Sequence, residues 1–220
     1  MEHDEFLNLI ELNTTFPTIV RLLQHYNIQL LLSQLIENRP NSLERSVGWH
    51  IDGGIPQAVT EDGMRVMNYL KVGYALTDVI NDDAGGLEIV PRSHKKQFKD
   101  LESTNTNDAR HQGEFHDSLQ LKMKAGDAVI FDQRLWHAGA KNKTDTTRVA
   151  LYFGYGYATF KPFDYLSVSN DILKKCTPIG KQLLGKRFSN FSSFSYYHPA
   201  EVDVPLKKWY SHYFGDTWIK

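Results

Sequence analysis

The spacing of apolar residues changes along the chain. Within residues 4–38, Ile19, Leu22, Leu23, Tyr26 and Leu30 recur at helical spacing, with Pro17 placed for a first turn and Thr14 or Thr15 for its N-cap. The run Ile28–Ile36 leaves two readings open: it continues the helix or begins a strand. Asn38-Arg39-Pro40-Asn41-Ser42 breaks whatever precedes it. From about Val47 short β-rich runs alternate with turn clusters: Val47–Asp52, Met64–Val79, Leu87–Val90, Leu119–Lys124, Ala128–Phe131 and Arg148–Tyr157. In the second run Val66, Asn68, Leu70, Val72, Tyr74 and Leu76 alternate with Arg65, Met67, Tyr69, Lys71, Gly73 and Ala75, and neither set is clearly polar. Lys95–Ser118 is polar and aperiodic, a long loop of the kind that forms lids or binding segments. Further on, a helix is expected from Asp171 to about Leu184, capped by Ser169 or Asn170, and Ser189–Tyr197 is rich in aromatics and Ser. Trp209, Tyr210, Tyr213, Phe214 and Trp218 predict a tail that docks on the barrel. The succession predicts one mainly β domain over 1–220, a sandwich or barrel, with a helical N-terminal stretch over residues 1–46, a core at about 47–157 and an extension over 158–220.

Composition narrows the class. With 41% apolar and 23% charged residues, 220 residues suffice for a buried core. A formal net charge of -1 provides no global field for nucleic acid or an anionic membrane. The single Cys176 excludes an intramolecular disulfide framework and suits a reducing compartment. The acidic start Met-Glu-His-Asp-Glu-Phe is unlike a secretory signal, and the apolar run Ile28–Ile36 is too short to span a bilayer, so a soluble, cytoplasmic protein is expected.

The chemistry centres on Gly48-Trp49-His50-Ile51-Asp52-Gly53. On a strand, His50 and Asp52 point to the same face and can reach one metal ion. By itself a His-x-Asp tripeptide is weak evidence. His137, after a Gly126-Asp127 turn and a strand, is the best third ligand, and two His with one carboxylate form the facial triad of non-haem Fe(II) sites. Arg148, Ala150, Tyr152 and Gly154 would share one strand face, where the small Ala150 and Gly154 leave room for a ligand and Arg148 is suited to clamp a carboxylate.

His50-x-Asp52, His137 and then Arg148 resemble the phytanoyl-CoA dioxygenase group of Fe(II)/2-oxoglutarate oxygenases. Gly85-Gly86-Leu87-Glu88-Ile89-Val90-Pro91-Arg92-Ser93-His94-Lys95 is similar to the family segment G-x-L-x-x-x-P-G-S-H, and His137-Ala-Gly-Ala-x-Asn142 also matches. The likeness spans about Val47 to Tyr157. It implies a double-stranded β-helix (jelly roll) with N-terminal and C-terminal helices packed against it. It implies Fe(II) on His50, Asp52 and His137, the far carboxylate of 2-oxoglutarate on Arg148, and O2 as oxidant. Asn68 falls about where the family places a second co-substrate contact, although a strand amide bonded to a neighbour explains it equally well; Gln34 is a candidate by position alone. The implied reaction is hydroxylation of an unactivated C–H bond of a small molecule, with succinate and CO2 formed. Asp52, where related halogenases carry a small residue, keeps hydroxylation the default. The alternative is a non-catalytic jelly roll that binds metal or ligand.

Two departures from the family stand out: a shortened N-terminal region, and Arg92 in place of the family Gly. The cluster Arg92, Lys95, Lys96 and Lys99 reads first as a solvated face and second as a site for an anionic substrate group. His94 is expected to hold its loop, His111 and His116 to be exposed, and Cys176 to be a small buried residue. Substrate identity and oligomeric state are not encoded in any motif.

Overall fold

A computed structural model describes residues 4–53, 59–95, 115–186 and 204–215. The Lys95–Ser118 expectation therefore lies outside the described residues over 96–114, as do Lys96, Lys99, His111, Ser189–Tyr197 and Trp218. The chain forms two compact units, Gln34–Tyr152 and the pair of segments Met1–Ser33 with Phe153–Lys220. No helix among the described residues is long and apolar enough to cross a membrane.

The expected mainly β class is met. Strands β1 (Ile28–Asn38), β2 (Val47–His50), β3 (Tyr69–Ala75), β4 (Leu87–Ile89), β5 (Leu119–Gln120), β6 (Ala128–Asp132), β7 (His137–Gly139) and β8 (Arg148–Tyr157) form two four-stranded sheets. Their orders are β1-β8-β3-β6 and β2-β7-β4-β5. One open reading is decided, against the helical expectation for residues 1–46, and one expectation is revised. Ile28–Asn38 is a strand, and the Met64–Val79 run is ordered as strand only over Tyr69–Ala75. Alternation fails there for a physical reason: all of β3 and the first half of β1 are buried on both faces, so neither carries a polar face.

In the Gln34–Tyr152 unit, β3 and β6 pair antiparallel with Lys71 opposite Phe131 and Gly73 opposite Val129. Leu87, Phe131, Leu135, Ala150 and Tyr152 form an apolar cluster. A second cluster joins Trp49, Val90, Trp136 and Ala138. Two buried amides tie the strand ends. Asn38 Nδ2 donates to Ala140 O at 2.7 Å, and Asn142 Nδ2 donates to Asn38 O at 3.0 Å and Thr146 O at 2.8 Å. Gly85, at φ +72°, passes so close to Asn38 that a Cβ there would stand 2.6 Å from its Nδ2.

In the other unit, α1 (Asp4–Leu9) is followed by α2 (Phe16–Leu23), where Pro17 occupies the first turn and Phe16, Ile19, Val20 and Leu23 make the buried stripe. The helix expected over 171–184 is split into α3 (Asn170–Lys175) and α4 (Pro178–Leu183). Pro178 cannot continue a helix but starts one well, and Ser169 and Thr177 cap the two pieces. Helix α5 (Pro205–Phe214) carries the aromatic tail: Trp209 meets Phe16 at 5.7 Å and Tyr210 meets Tyr26 at 6.1 Å between ring centroids. Buried Gln182 takes the Leu206 N–H at 2.9 Å and donates to Tyr26 O at 2.8 Å, which satisfies an otherwise orphaned amide in the first turn of α5.

Candidate active site

Strands β2 and β7 lie side by side with His50 opposite His137, so their imidazoles face each other at 4.2 Å between centroids. The register shifts between the Val47–Gly139 and His50–His137 pairs, an irregularity of the kind that re-aims a side chain next to a site. Asp52 follows β2, and its backbone N–H donates to Gln133 O at 2.9 Å. One donor atom from each of His50, Asp52 and His137 lies within 4.8 Å of the others.

The ring tautomers are set by the backbone. His50 Nδ1 faces Gly48 O at 2.7 Å and His137 Nδ1 faces Leu135 O at 2.8 Å. A carbonyl only accepts, so each Nδ1 carries the proton and each Nε2 keeps a free lone pair. These Nε2 atoms stand 3.7 Å and 3.5 Å from the Asp52 oxygens. Two donors held about 2.1 Å from one ion at octahedral to tetrahedral angles stand about 3.0–3.4 Å apart, a few tenths of an ångström less than these separations. A small inward shift would bring the three donors around a single transition-metal ion.

Burial shapes the charge states. Desolvation pushes the His137 pKa down to about 3, against the pull of Asp52, so this ring is neutral at physiological pH and ready as a ligand. Burial alone would raise the Asp52 carboxyl, but His137, Lys71 and His50 together hold it below its ordinary value.

The triad opens onto a cavity of about 420 Å³ that Gln34, Ile36, Leu87, Lys71, Arg148 and Tyr152 also line. Arg148 is buried on β8 and donates to Tyr152 Oη at 2.9 Å, which fixes the guanidinium. Tyr152 fits because β3 has glycine beside it: a Cβ on Gly73 would stand 2.5 Å from its ring. His50, Asp52, His137, Arg148 and the position-only candidate Gln34 therefore border one space. Asn68 is not among the residues that line it; its backbone N–H donates to Gln133 Oε1 at 3.1 Å.

Lys71 is a site residue that the sequence reading passes over. It is buried in β3, with Nζ at 3.1 Å and 3.0 Å from the two Asp52 oxygens. A signal exists for it: a lone cation inside an otherwise apolar strand is costly unless paired. Gln133, fully buried, takes the N–H groups of Asn68 and Tyr69 on Oε1 and donates to Val66 O, so it fixes the entry to β3 while its own carbonyl holds Asp52. Ser93, also fully buried, accepts the Trp136 N–H at 2.8 Å, one residue before His137. Ser93 of the matched segment thus anchors the backbone next to His137. His94 sits on the Ser93–Lys95 turn and not in the cavity wall, and His116 is exposed.

Comparison with known proteins places the chain in a family. Dioxygenase easH of Epichloe festucae var. lolii is 29% identical over 157 residues, 69% of this chain and 76% of that protein. Dioxygenase olcK of Penicillium canescens is 24% identical over 151 residues, 67% of this chain and 46% of that protein. Dioxygenase hkm4 of Aspergillus hancockii is 28% identical over 160 residues, and the chain spans about half the length of these last two, 46% and 47%. Among solved structures, apo HygX from Streptomyces hygroscopicus superposes with a TM-score of 0.57 at 20% identity, covering 76% of this chain and 73% of that one. A second HygX structure holds nickel and 2-oxoglutarate. EctD from S. alaskensis gives a TM-score of 0.51 at 19% identity, covering 70% of this chain and 55% of that one. These likenesses establish the fold. The phytanoyl-CoA dioxygenase family model matches residues 13–150, a stretch that holds the triad and Arg148, and the chain belongs to that family.

Proposed function

We propose that this protein is a non-haem Fe(II)- and 2-oxoglutarate-dependent oxygenase that hydroxylates an unactivated C–H bond of a small molecule. The observation that carries the reading is one cavity with a three-donor cluster on its wall and a buried, oriented Arg148 within it. Family membership and the shared fold of HygX, which in its own structures binds nickel, 2-oxoglutarate and hygromycin B, support it. We read the two sheets as a double-stranded β-helix and the chain as one oxygenase domain.

When bound, ferrous ion and 2-oxoglutarate supply the oxidising chemistry, coupling O2 reduction to decarboxylation and insertion of one oxygen atom into a substrate C–H bond. The chain's own residues do the rest. His50 and His137 present Nε2 lone pairs, and Asp52 adds a negative charge, which leaves open positions for exchangeable ligands. Arg148 would take the far carboxylate through charge-assisted hydrogen bonds, with Tyr152 holding the guanidinium in orientation. Ile36, Val47, Leu87 and Ala138 make part of the wall apolar, which would limit water near the donors. Exposed Arg92 and Lys95 tilt the substrate class towards an anion. The free Cys176 suits a reducing compartment in which iron stays ferrous, and we assign the protein to the cytoplasm.

The test is an anaerobic titration with Fe(II) and then 2-oxoglutarate, followed by the visible iron-to-keto-acid charge-transfer band. The wild type should develop the band and His137→Ala should not. Arg148→Ala should bind Fe(II) normally but 2-oxoglutarate about 10- to 100-fold more weakly. Iron binding without any band in the wild type would favour a non-catalytic metal-binding jelly roll instead.

A further inference from the structure

We propose that Lys71 is a second carboxylate anchor for 2-oxoglutarate, released to it when Asp52 takes a metal ion, so that metal and co-substrate tighten each other's binding. This rests on the oxygenase reading above. Three observations carry it. Lys71 is a buried ammonium in the middle of a strand whose other residues are buried as well, and it is paired with Asp52, with Nζ at 3.1 Å and 3.0 Å from the two carboxylate oxygens. A divalent ion drawn to the same carboxylate brings like charge against Lys71, so metal and ammonium cannot both engage both oxygens.

The second observation is where the ammonium can turn. Lys71 Nζ lies 5.5 Å from the centroid of the Tyr152 ring, and the Arg148 guanidinium carbon lies 5.9 Å from that same ring. Tyr152 is flanked by both cations, and all three side chains line the one cavity that His50, Asp52 and His137 share. Adjacent strands β3 and β8 thus set a run of Asp52, Lys71, Tyr152 and Arg148 along the wall. The third is charge balance. Asp52 offsets Lys71 and leaves Arg148; a bound divalent ion then makes the cavity strongly positive. A doubly charged anion restores most of the balance, and a monocarboxylate restores half as much. A dicarboxylate keto acid therefore suits this set of cations.

The measurement is calorimetric titration of Fe(II) under anaerobic conditions, with and without 2-oxoglutarate, on wild type, Lys71→Met, Lys71→Gln and Lys71→Arg. In the wild type 2-oxoglutarate should tighten Fe(II) about tenfold or more. Lys71→Met and Lys71→Gln should bind Fe(II) alone at least as tightly as wild type, bind 2-oxoglutarate about tenfold more weakly, and lose most of the coupling; Lys71→Arg should recover it. The glutamine variant keeps a hydrogen-bond donor for Asp52 and guards against a folding failure of the methionine variant. Undiminished coupling in the neutral variants overturns the proposal. So does loss of their Fe(II) affinity, which would make Lys71 a prop for Asp52. If 2-oxoglutarate binding falls in Arg148→Ala but not in these variants, the oxygenase reading stands and the role of Lys71 falls alone. If the Fe(II)-loaded wild type takes up no 2-oxoglutarate, both fall.

Discussion

Arg92 has φ +64°, in the left-handed region, at the position where the resembling segment carries glycine. The side chain is exposed, so no packing offsets the strain. Arg92→Gly should raise stability by about 0.5–1 kcal/mol once the extra freedom of glycine in the unfolded chain is subtracted. A urea midpoint that falls instead would mean that the guanidinium itself holds the turn. Ser93, next in the chain, acts differently. Its buried hydroxyl is the acceptor for the Trp136 N–H, so Ser93→Ala leaves a buried donor beside His137 without its partner. The expected loss is about 1–3 kcal/mol of stability and roughly tenfold in Fe(II) affinity, read by urea unfolding and by metal titration. Histidine and aspartate announce themselves in the sequence because their chemistry is unusual at such spacing. Ser93 and Gln133 do not, because a serine or glutamine gains its role only from what the fold sets opposite it.

Pairs of strands carry the site more than single strands do. Gly73 in β3 gives its space to Tyr152 in β8, so Gly73→Ala must displace the ring that orients Arg148. Binding of 2-oxoglutarate should weaken by about tenfold while Fe(II) affinity holds, a split that a general loss of folding would not produce. The ends of β1 and the β7–β8 connection are joined by Asn142, which donates to Asn38 O and Thr146 O and accepts from Thr144. Removing that fully buried amide in Asn142→Ala should cost about 2–3 kcal/mol in urea unfolding. Asn142 is legible in the sequence as a motif residue, but its role as a tie between strands is not. Strand β1 shows the limit of periodicity: where both faces are buried, a strand and a core helix write the same apolar run. The helix expected over 171–184 is divided by Pro178, a stop signal that the apolar spacing around it conceals.

For the molecule as a whole, three imidazoles whose pKa burial lowers, His25, His94 and His137, tie stability to pH. Burial lowers the pKa of His25, whose Nδ1 also accepts the Asn27 N–H at 2.8 Å, and lowers that of His137 to about 3 from an ordinary 6.5. Below 6.5 the unfolded chain therefore binds protons that the folded chain refuses. The contribution is fully present above that pH and is lost as pH falls towards the folded values, at up to about 1.4 kcal/mol per pH unit for each group. Chelator-treated protein should show urea midpoints that decline between about pH 7 and about pH 5, and His25→Asn should flatten some of the slope. A flat profile would show that none of these rings is neutral by burial. The sequence by itself determined the mainly β class and the family, and singled out His50, Asp52, His137 and Arg148 as candidates, because scarce ligand types at strand spacing and a matched glycine-proline-serine segment are local properties of the chain. Tertiary structure alone decided that His50 stands opposite His137, that Lys71 reaches Asp52, and that Asn68 stays out of the cavity wall. Those facts follow from strand register and two-sided burial, which depend on residues far apart in the chain and leave no period within it.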